Sequence, residues 1–405
     1  MEGRSGAVQK TQVTQNKHAL YGSILLHGLN DTHSTTLPAI IPMLSESISL
    51  TMSQAGVLSA LFGTICMLLQ PVTGYLADML KRPWFAVFGM LISAAGASLL
   101  PLSPNFGAAL ICVGVMGIGT SLFHPQGSGL CGAAADKNRL AFSLSLFHAC
   151  GTLGGAVGPL YVVFMISVFG RKGFPLAAIP AALLISFFLF RAMGNTRADP
   201  AAAEKETKEA SFLHELCFIL SRIGWVVAVA SIRDAVFQSI RVFTPTLFVQ
   251  RGASIAMGSA VVLAVTLTAA LAAVAGGRLS DSIGEKKVLF GSLAIAPLFL
   301  IFGVSDHGVL SIVSLMAGFA FLQSTMSVTM AIAQKKCTGA RSMSSSLASG
   351  ASWGIANLLV TPVGFLADHI GLQHALEIVA FLPWCIILWA LLKTAASRRQ
   401  GSAVQ

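Results

Sequence analysis

The sequence predicts an all-α membrane protein with twelve transmembrane helices. Of the 405 residues, 55% are hydrophobic and only 10% are charged, whereas about a quarter of the residues in ordinary soluble domains are charged. Apolar runs of the roughly 20 residues that span a bilayer as a helix follow one another along almost the whole chain. These runs do not alternate apolar and polar residues, as the strands of a membrane β-barrel would.

Twelve apolar runs define the predicted spans. They cover residues 18–44, 54–78, 84–103, 106–128, 141–168, 174–192, 222–250, 257–280, 286–305, 308–333, 343–367 and 373–393. An even number of crossings places both termini on one side of the membrane. The loops and tails of that side hold 20 of the 26 Lys and Arg residues, and the opposite loops hold three. Because basic residues accumulate on the cytoplasmic side, both termini are expected in the cytoplasm.

Several classes of protein are excluded by what the sequence lacks. The net charge of +10 comes from Lys and Arg residues spread between the apolar runs, so we expect no nucleic-acid partner. The seven Cys residues form no CxxC pair, which argues against disulfides or a cysteine metal site. No GxxxxGK[ST] loop supports a primary pump. No nucleophile stands with a base, so neither an enzyme nor a cofactor is expected.

The second half of the chain repeats the first at an offset of 203 positions. Asp31 in span one coincides with Asp234 in span seven. The other coincident pairs are Pro42 with Pro245, Gly74 with Gly277, Asp78 with Asp281, Gly151 with Gly354, and Pro159 with Pro362. The offset indicates a duplicated six-helix unit, with bundles at 1–192 and 222–405 and a cytoplasmic linker at 193–221. Two such bundles enclose a cavity between them.

The loops after spans two and eight carry related motifs, GYLADMLKRP at 74–83 and GRLSDSIGEKK at 277–287. They resemble the GxLADxxGRR loop of the major facilitator superfamily, although Leu80 replaces its usual Gly. The resemblance implies two pseudo-symmetric bundles that rock about a central site by alternating access. It also implies a conformational latch on the cytoplasmic side, formed by Gly74, Asp78, Arg82, Gly277, Asp281 and Lys286.

Span five contains GTLGGAVGP at 151–159. Small residues permit close helix packing, and a proline bends a helix. The segment looks like the GxxxGP signature of antiporters in the same superfamily, without its trailing Gly pair. A tight interface with no influence on transport direction is the alternative interpretation. The residues expected to serve helix packing are Gly151, Gly155, Gly158, Pro159 and Pro362.

Three further segments are similar to the bacterial fosmidomycin-resistance branch of that superfamily. They are HGLND at 27–31, LQPVTGY at 69–75 and GTSLFHP at 119–125. The branch is known for drug efflux, and related sequences are linked to siderophore and metabolite traffic. Gln126 stands where the branch often has an acidic residue, so an amide replaces a carboxylate that could carry protons. The resemblance implies a location in the bacterial inner (plasma) membrane.

Ionisable side chains at bilayer depth cost roughly 2.5–3.5 kcal/mol on insertion scales, so they usually face a cavity or a partner. In span one, His27 and Asp31 are four residues apart and share a helical face. We expect Asp31, with His27 and the adjacent Asn30, to take part in proton coupling or cargo recognition. The alternative is a structural carboxylate satisfied by another helix.

In span seven, Asp234, Gln238 and Arg241 share one face, and Arg233 lies about 100° round the helix. Arg241 or Arg233 could bind an anionic group of the cargo, because guanidinium offers a planar fork to carboxylate or phosphonate. Alternatively, either Arg neutralises Asp234 or Asp31 in a buried pair.

The remaining polar residues at depth are candidates for lining the path or for joining helices. They are His124, Gln126, His148, Gln323 and Asn357. No metal site is expected, because no carboxylate or Cys stands at ligand spacing from His124 or His148.

The leading interpretation is a monomeric secondary transporter in the lipid bilayer, with protons as the coupling ion. It would export a small cargo, namely a drug, a siderophore or an anionic metabolite, by antiport. Proton-coupled import of a siderophore or organic acid is the alternative. A non-transporting membrane receptor is the alternative of another class.

Overall fold

The fold of the chain is helical throughout the part that the structure describes. The computed structural model describes residues 17–50, 52–80, 82–194 and 211–402, and these ranges contain no strand. The α-helices are α1 (Lys17–Ser34), α2 (Leu37–Ile48), α3 (Met52–Met79), α4 (Trp84–Leu99), α5 (Phe106–Ala134), α6 (Leu140–Met193), α7 (Phe212–Gln250), α8 (Ile255–Ile283), α9 (Glu285–Ser305), α10 (Gly308–Gln323), α11 (Met326–Lys336), α12 (Arg341–Ser345), α13 (Ser352–Ile370) and α14 (Leu372–Ser402). A π-helical turn, Ser346–Ala351, joins α12 to α13. The predicted all-α membrane fold is confirmed.

Ten helical segments within the described ranges are long and apolar enough to cross a membrane. One of them, Lys137–Met193, has 57 residues, and at 1.5 Å per residue it is about 85 Å long, against ~30 Å of hydrocarbon. It bends at Gly170, where φ is 70° and ψ is 169°. Only a residue without a Cβ adopts this conformation readily. The bend separates the predicted spans five and six, and the total of twelve crossings stays a prediction.

Predicted span one is interrupted immediately after its polar segment. α1 ends at Ser34 and α2 begins at Leu37, with Pro38 in its first turn. The hydroxyl of Thr35 donates to the carbonyl of Asp31, and that of Thr36 donates to the carbonyl of His33. These hydroxyls satisfy carbonyls at the helix end. The break therefore places Asp31 one turn from the end of α1.

Buried apolar side chains form separate clusters in the two halves of the chain. One cluster extends from Ile219 to Ile386, and the two others come mainly from α1 to α6. The division of the chain at 193–221 stays a prediction, because residues 195–210 of that linker lie outside the described residues. Lys81 and the N-terminal residues 1–16, which entered the charge argument, lie outside them as well.

The two halves meet at one end through both copies of the duplicated loop motif. The Asp78 carboxylate accepts hydrogen bonds from the backbone N–H groups of Ser342 (2.9 Å) and Met343 (3.0 Å), at the start of α12. The Asp281 carboxylate accepts from Ala141 (3.2 Å) and Phe142 (2.8 Å), at the start of α6. Each Asp thus caps a helix of the opposite half. We call this region the latch end.

Glycine allows the backbones to come close at both positions. A Cβ on Gly74 would lie 2.9 Å from Met343 Cα, and one on Gly277 would lie 2.6 Å from the Ala141 carbonyl oxygen. The basic residues of the two motifs, Arg82 and Lys286, are both exposed, unlike the Gly and Asp positions. Arg82 contributes its backbone carbonyl, which accepts from Gln126. Within the two motifs, the Gly and Asp positions bring the backbones together, and the Arg278 guanidinium lies over the Phe142 ring of the other half (5.7 Å).

A second layer of contacts lies deeper between the halves. Gln334 of α11 is fully buried, and its amide donates to the Ser128 carbonyl of α5 (3.0 Å) and to the Ser345 hydroxyl (2.8 Å). The Arg341 guanidinium donates to the Gly132 carbonyl (3.0 Å). The bonds from Gln334 to Ser128 and from Arg341 to Gly132 add further contacts between the halves beside the latch end.

Candidate functional site

A cavity of about 430 Å³ lies between the two halves. Side chains from both halves line it, which fits a duplicated unit arranged around a central path. Of the polar residues expected at the site, those that line the cavity are His27, Asp31, His124, His148, Asp234, Gln238, Arg241 and Gln323. Asn30, Gln126, Arg233 and Asn357 are not among its lining residues.

One wall of the cavity carries a cluster of two histidines and a carboxylate. His27 Nε2 lies 3.2 Å from Asp31 Oδ2, and His124 Nε2 lies 3.5 Å from Asp31 Oδ1. The side chain of His27 is 4% exposed, that of Asp31 19% and that of His124 27%. His27 is therefore embedded in the wall, while Asp31 and His124 face the cavity. We call these three residues the acid–histidine cluster.

The embedded residues around the cluster fix its orientation. His27 Nδ1 lies 2.7 Å from the Phe147 carbonyl oxygen, which can only accept, so Nδ1 donates. The Asn30 amide donates to Asp31 Oδ1 (3.0 Å). A Cβ on Gly151 would overlap the His27 ring, so only glycine leaves room for it. Gly151 and Asn30 thus position the cluster, and Gly151 also lines the cavity.

The same glycine-rich face holds α1 against α6. A Cβ on Gly154 would collide with the backbone of Gly28, and one on Gly158 with the Thr35 side chain. The Thr35 hydroxyl, which donates to the Asp31 carbonyl, also lies 3.0 Å from the Gly155 carbonyl oxygen. Pro159 lies inside α6 and Pro362 inside α13. The glycines of this segment thus allow α1 and α6 to approach closely, and the packing roles of Pro159 and Pro362 stay predictions.

The opposite wall carries Arg241 of α7. Its Nε donates to Gln238 Oε1 (3.0 Å), and its guanidinium carbon lies 5.7 Å from the centre of the Phe237 ring. Gln238 in turn donates to Asn357 Oδ1 (2.9 Å). Among the described residues no carboxylate forms an ion pair with Arg241. Arg241 therefore keeps hydrogen-bond donors and a positive charge for the cavity.

Arg233 lies in a different environment. It is 1% exposed, and its Nε and Nη2 donate to the two carboxylate oxygens of Asp234, both at 2.9 Å. Its Nη1 donates to the Thr329 hydroxyl (2.9 Å), and the Ser352 hydroxyl donates to Asp234 (3.0 Å). Arg233 is thus a buried partner of Asp234, whereas anion binding by Arg241 stays a prediction.

Gln126 lies apart from the cavity. It is fully buried, its Oε1 accepts from the backbone N–H of Ala86 (2.8 Å), and its Nε2 donates to the Arg82 carbonyl (3.3 Å). It therefore fixes the start of α4 beside the latch end. His148 does reach the cavity, and its Nε2 lies 3.4 Å from Met330 Sδ of the other half.

Spacing along the sequence predicts no metal site, but the fold brings together residues that are distant in the chain. Asp31 lies 93 positions from His124 along the chain, yet their side chains meet. The three ligand atoms of the acid–histidine cluster lie within 4.8 Å of one another. Sequence spacing alone cannot reveal such a group, because its members come from two helices.

The family of the chain follows from its similarity to known proteins. The family model for the Major Facilitator Superfamily matches residues 23–361. The chain belongs to this superfamily. The Fosmidomycin resistance protein of Escherichia coli (strain K12) is 30% identical over 394 residues, covering 94% of both chains. The transporter is thus a member of that branch, as the sequence predicted, and it is not an enzyme.

Two further comparisons agree. The Uncharacterized MFS-type transporter YfnC of Bacillus subtilis (strain 168) is 28% identical, covering 93% of both chains. The crystal structure of the E. coli fucose:proton symporter FucP superposes with a TM-score of 0.77 at 14% identity, covering 93% of this chain and 99% of that one. At this identity the symporter supports the fold alone.

Several residues around the transporter's cavity were not predicted from the sequence. Phe147 holds His27 through its carbonyl and also packs its ring against the His27 ring (4.0 Å between centroids), Thr329 and Ser352 complete the Arg233–Asp234 pair, and Gln334 joins the two halves. Ser and Thr are common in membrane helices, and a carbonyl carries no sequence signal. Gln334 could have been noticed, since an amide in an apolar run requires partners.

Proposed function

We propose that this transporter exports a small anionic solute across the bacterial inner membrane in exchange for protons. It would work as a monomer with both termini in the cytoplasm, so that the latch end faces the cytoplasm. The observation that carries the proposal is the acid–histidine cluster on the wall of the cavity. The cluster supplies a site for the coupling ion, and Arg241 on the opposite wall supplies one for the cargo.

The hydrogen bonds of His27 support proton binding. Because Nδ1 donates to Phe147, the hydrogen between Nε2 and Asp31 must be a second one. It belongs either to an imidazolium facing a carboxylate or to a carboxylic acid facing a neutral imidazole. Removing it would bring a nitrogen lone pair against a charged oxygen at 3.2 Å. The pair therefore holds one exchangeable proton next to the cavity.

Arg241 supports an anionic cargo. Guanidinium is always charged and pairs with planar or tetrahedral anions through two parallel hydrogen bonds. Its cavity-facing donors have no carboxylate partner among the described residues, in contrast to those of Arg233. The drug, siderophore or metabolite that fits would carry a carboxylate, phosphonate or similar group.

The latch contacts support alternating access. In the observed conformation Asp78 and Asp281 join the halves at the latch end, and Gln334 joins them beside it. Transport would require these hydrogen bonds to break while the opposite end closes. The latch residues would therefore set the balance between the two conformations.

Export is supported by the GTLGGAVGP segment and by the name of the Escherichia coli relative, a resistance protein. Electrostatic attraction between the bound anion and a proton favours import as the second candidate. An anion at Arg241 attracts a proton to the acid–histidine cluster across the cavity, so the two would tend to bind together. Ions and cargo that bind together travel in the same direction, as in a proton symporter.

Transport by the purified protein in liposomes separates the candidates. Fosmidomycin, at equal concentration inside and outside, is the first probe because of the relative, and other anionic antibiotics, siderophores and organic acids follow. The outside is then acidified. Antiport depletes the solute from the interior, whereas symport accumulates it, and a protonophore abolishes either result. Solute movement that ignores the pH gradient would contradict proton coupling.

A further inference from the structure

The acid–histidine cluster has the composition of a metal site. Two imidazole nitrogens and one carboxylate oxygen converge from α1 and α5, all within 4.8 Å of one another. His27 Nε2 lies 3.2 Å from Asp31 Oδ2, and His124 Nε2 lies 3.5 Å from Asp31 Oδ1. Ligands placed 2.0–2.1 Å from a tetrahedral zinc ion are separated by ~3.3 Å, so a rotation of the Asp31 carboxylate would let one oxygen serve both nitrogens.

The groups behind the cluster also match a metal site. Metal-binding histidines usually donate their other ring N–H to a carbonyl or carboxylate, which fixes the nitrogen that faces the ion. His27 does this through Nδ1 and the Phe147 carbonyl at 2.7 Å, which leaves Nε2 directed at Asp31, where a bound ion would replace the hydrogen that the two groups share. Ligating carboxylates are likewise held by hydrogen bonds, and Asn30 holds Asp31 at 3.0 Å.

We propose that His27, Asp31 and His124 bind a divalent transition-metal ion, with a fourth coordination position open to the cavity. The two imidazole nitrogens are at most 4.8 Å apart, so His124 must turn toward His27 to complete the site. It has the freedom to do so, because its side chain is 27% exposed in the cavity. Three protein ligands and one open position are the arrangement of exchangeable zinc sites.

The ligand set selects the class of ion. Imidazole suits Zn²⁺, Co²⁺, Ni²⁺ and Cu²⁺, whereas Mg²⁺ and Ca²⁺ require mainly oxygen ligands. The cluster offers a single carboxylate among the described residues, which disfavours the hard cations. This inference goes beyond the proposed function. Metal binding needs neither a gradient nor transport, so the two can fail independently.

The test is a titration of the detergent-purified full chain with Co²⁺, monitored by its visible absorption, followed by displacement with Zn²⁺. The purification tag must contain no histidine. The expected result is one ion per chain with the spectrum of a four-coordinate site. His27→Gln, Asp31→Asn and His124→Gln should each weaken binding by at least about tenfold, the range seen for disturbed metal sites. His369→Gln is the matched control, because His369 is exposed at the end of α13 and bonds within its own helix.

His124→Cys keeps the proposal falsifiable if another variant fails to fold. A cysteine retains a ligand, so Co²⁺ should still bind and should gain a thiolate charge-transfer band in the near ultraviolet. Absence of stoichiometric binding to the unchanged protein overturns the proposal. Binding that survives in all three weakened variants, or a His124→Cys protein that binds Co²⁺ without the new band, overturns it as well.

Discussion

The two halves of this transporter place an aspartate at equivalent positions and surround it differently. Asp31 lies between two histidines, and its side chain is 19% exposed to the cavity. Asp234, 203 positions later, is 7% exposed and accepts two parallel hydrogen bonds from its own neighbour Arg233. Histidine changes its charge near neutral pH, whereas arginine does not.

The difference teaches how a duplicated unit can divide its tasks. In the proposed function, the carboxylate of the first half shares a proton with its histidine partners, so its charge would change during a transport cycle. The carboxylate of the second half is neutralised permanently and is also held by Ser352. The first half would thus carry the coupling ion, and the second would provide a fixed frame and a free cation at Arg241.

The largest loss of stability is expected when the buried Arg233–Asp234 pair is broken. Arg233→Met removes the partner of a buried carboxylate, and breaking such a pair costs about 3–5 kcal/mol of folding free energy. Thermal unfolding of the purified protein measures the loss. The double variant Arg233→Met with Asp234→Leu removes both charges and should recover most of it. A double variant as unstable as the single one would show that Asp234 does not depend on Arg233.

The next effect concerns the cluster of the first half. Asp31→Asn removes the exchangeable proton and should lower pH-driven transport by about 100-fold, the lower range for a positioned proton-transfer group. The folding free energy should change far less than in the Arg233 variant, because Asp31 has no permanent cation as its partner. Liposome transport across a range of pH measures the first quantity, and thermal unfolding measures the second. Unchanged rate and pH dependence would remove Asp31 from the coupling mechanism.

How much of this contrast the sequence could predict depends on the range of the contacts. The helical membrane fold, the duplication and the shared face of His27 and Asp31 follow from local patterns and from one offset. The sequence alone did not decide whether Arg233 binds cargo or forms a buried pair with Asp234. That choice depends on contacts with Thr329 and Ser352, which lie on other helices. The meeting of Asp31 with His124, and the position of Gln126 outside the cavity, depend on how α1, α4 and α5 pack.

A smaller effect is expected at the latch end, where the two halves again differ. Asp78 is buried and Asp281 is partly exposed, although each accepts two backbone hydrogen bonds. Hydrogen bonds to a charged group contribute about 1.5–3 kcal/mol, so Asp78→Asn should destabilise the observed conformation by roughly this amount. Asp281→Asn should destabilise this conformation by a smaller amount, because water can replace the hydrogen bonds that the partly exposed Asp281 loses.

Spin labels on the exposed residues Asn138 and Thr338, one in each half, report this opening as a longer distance, after Cys217 and Cys385 are replaced. The population with the longer distance should be largest in Asp78→Asn, smaller in Asp281→Asn and smallest in the unchanged protein. Equal populations in the two variants would mean that burial does not distinguish the two copies of the latch.

The smallest effect compares two glycines at the same offset, Gly151 and Gly354. A Cβ on Gly151 meets the His27 ring, whose Nδ1 is held by a hydrogen bond and whose Nε2 faces Asp31. A Cβ on Gly354 meets the Met67 side chain, and a thioether chain adapts to crowding. Gly151→Ala should therefore destabilise the fold by about 1–2 kcal/mol, at the lower end for overpacking, and Gly354→Ala by less. Gly151→Ala should also weaken pH-driven transport, because it moves His27 relative to Asp31. Equal losses of stability, or Gly151→Ala with undisturbed coupling, would show that the His27 ring is not fixed by its helix contact.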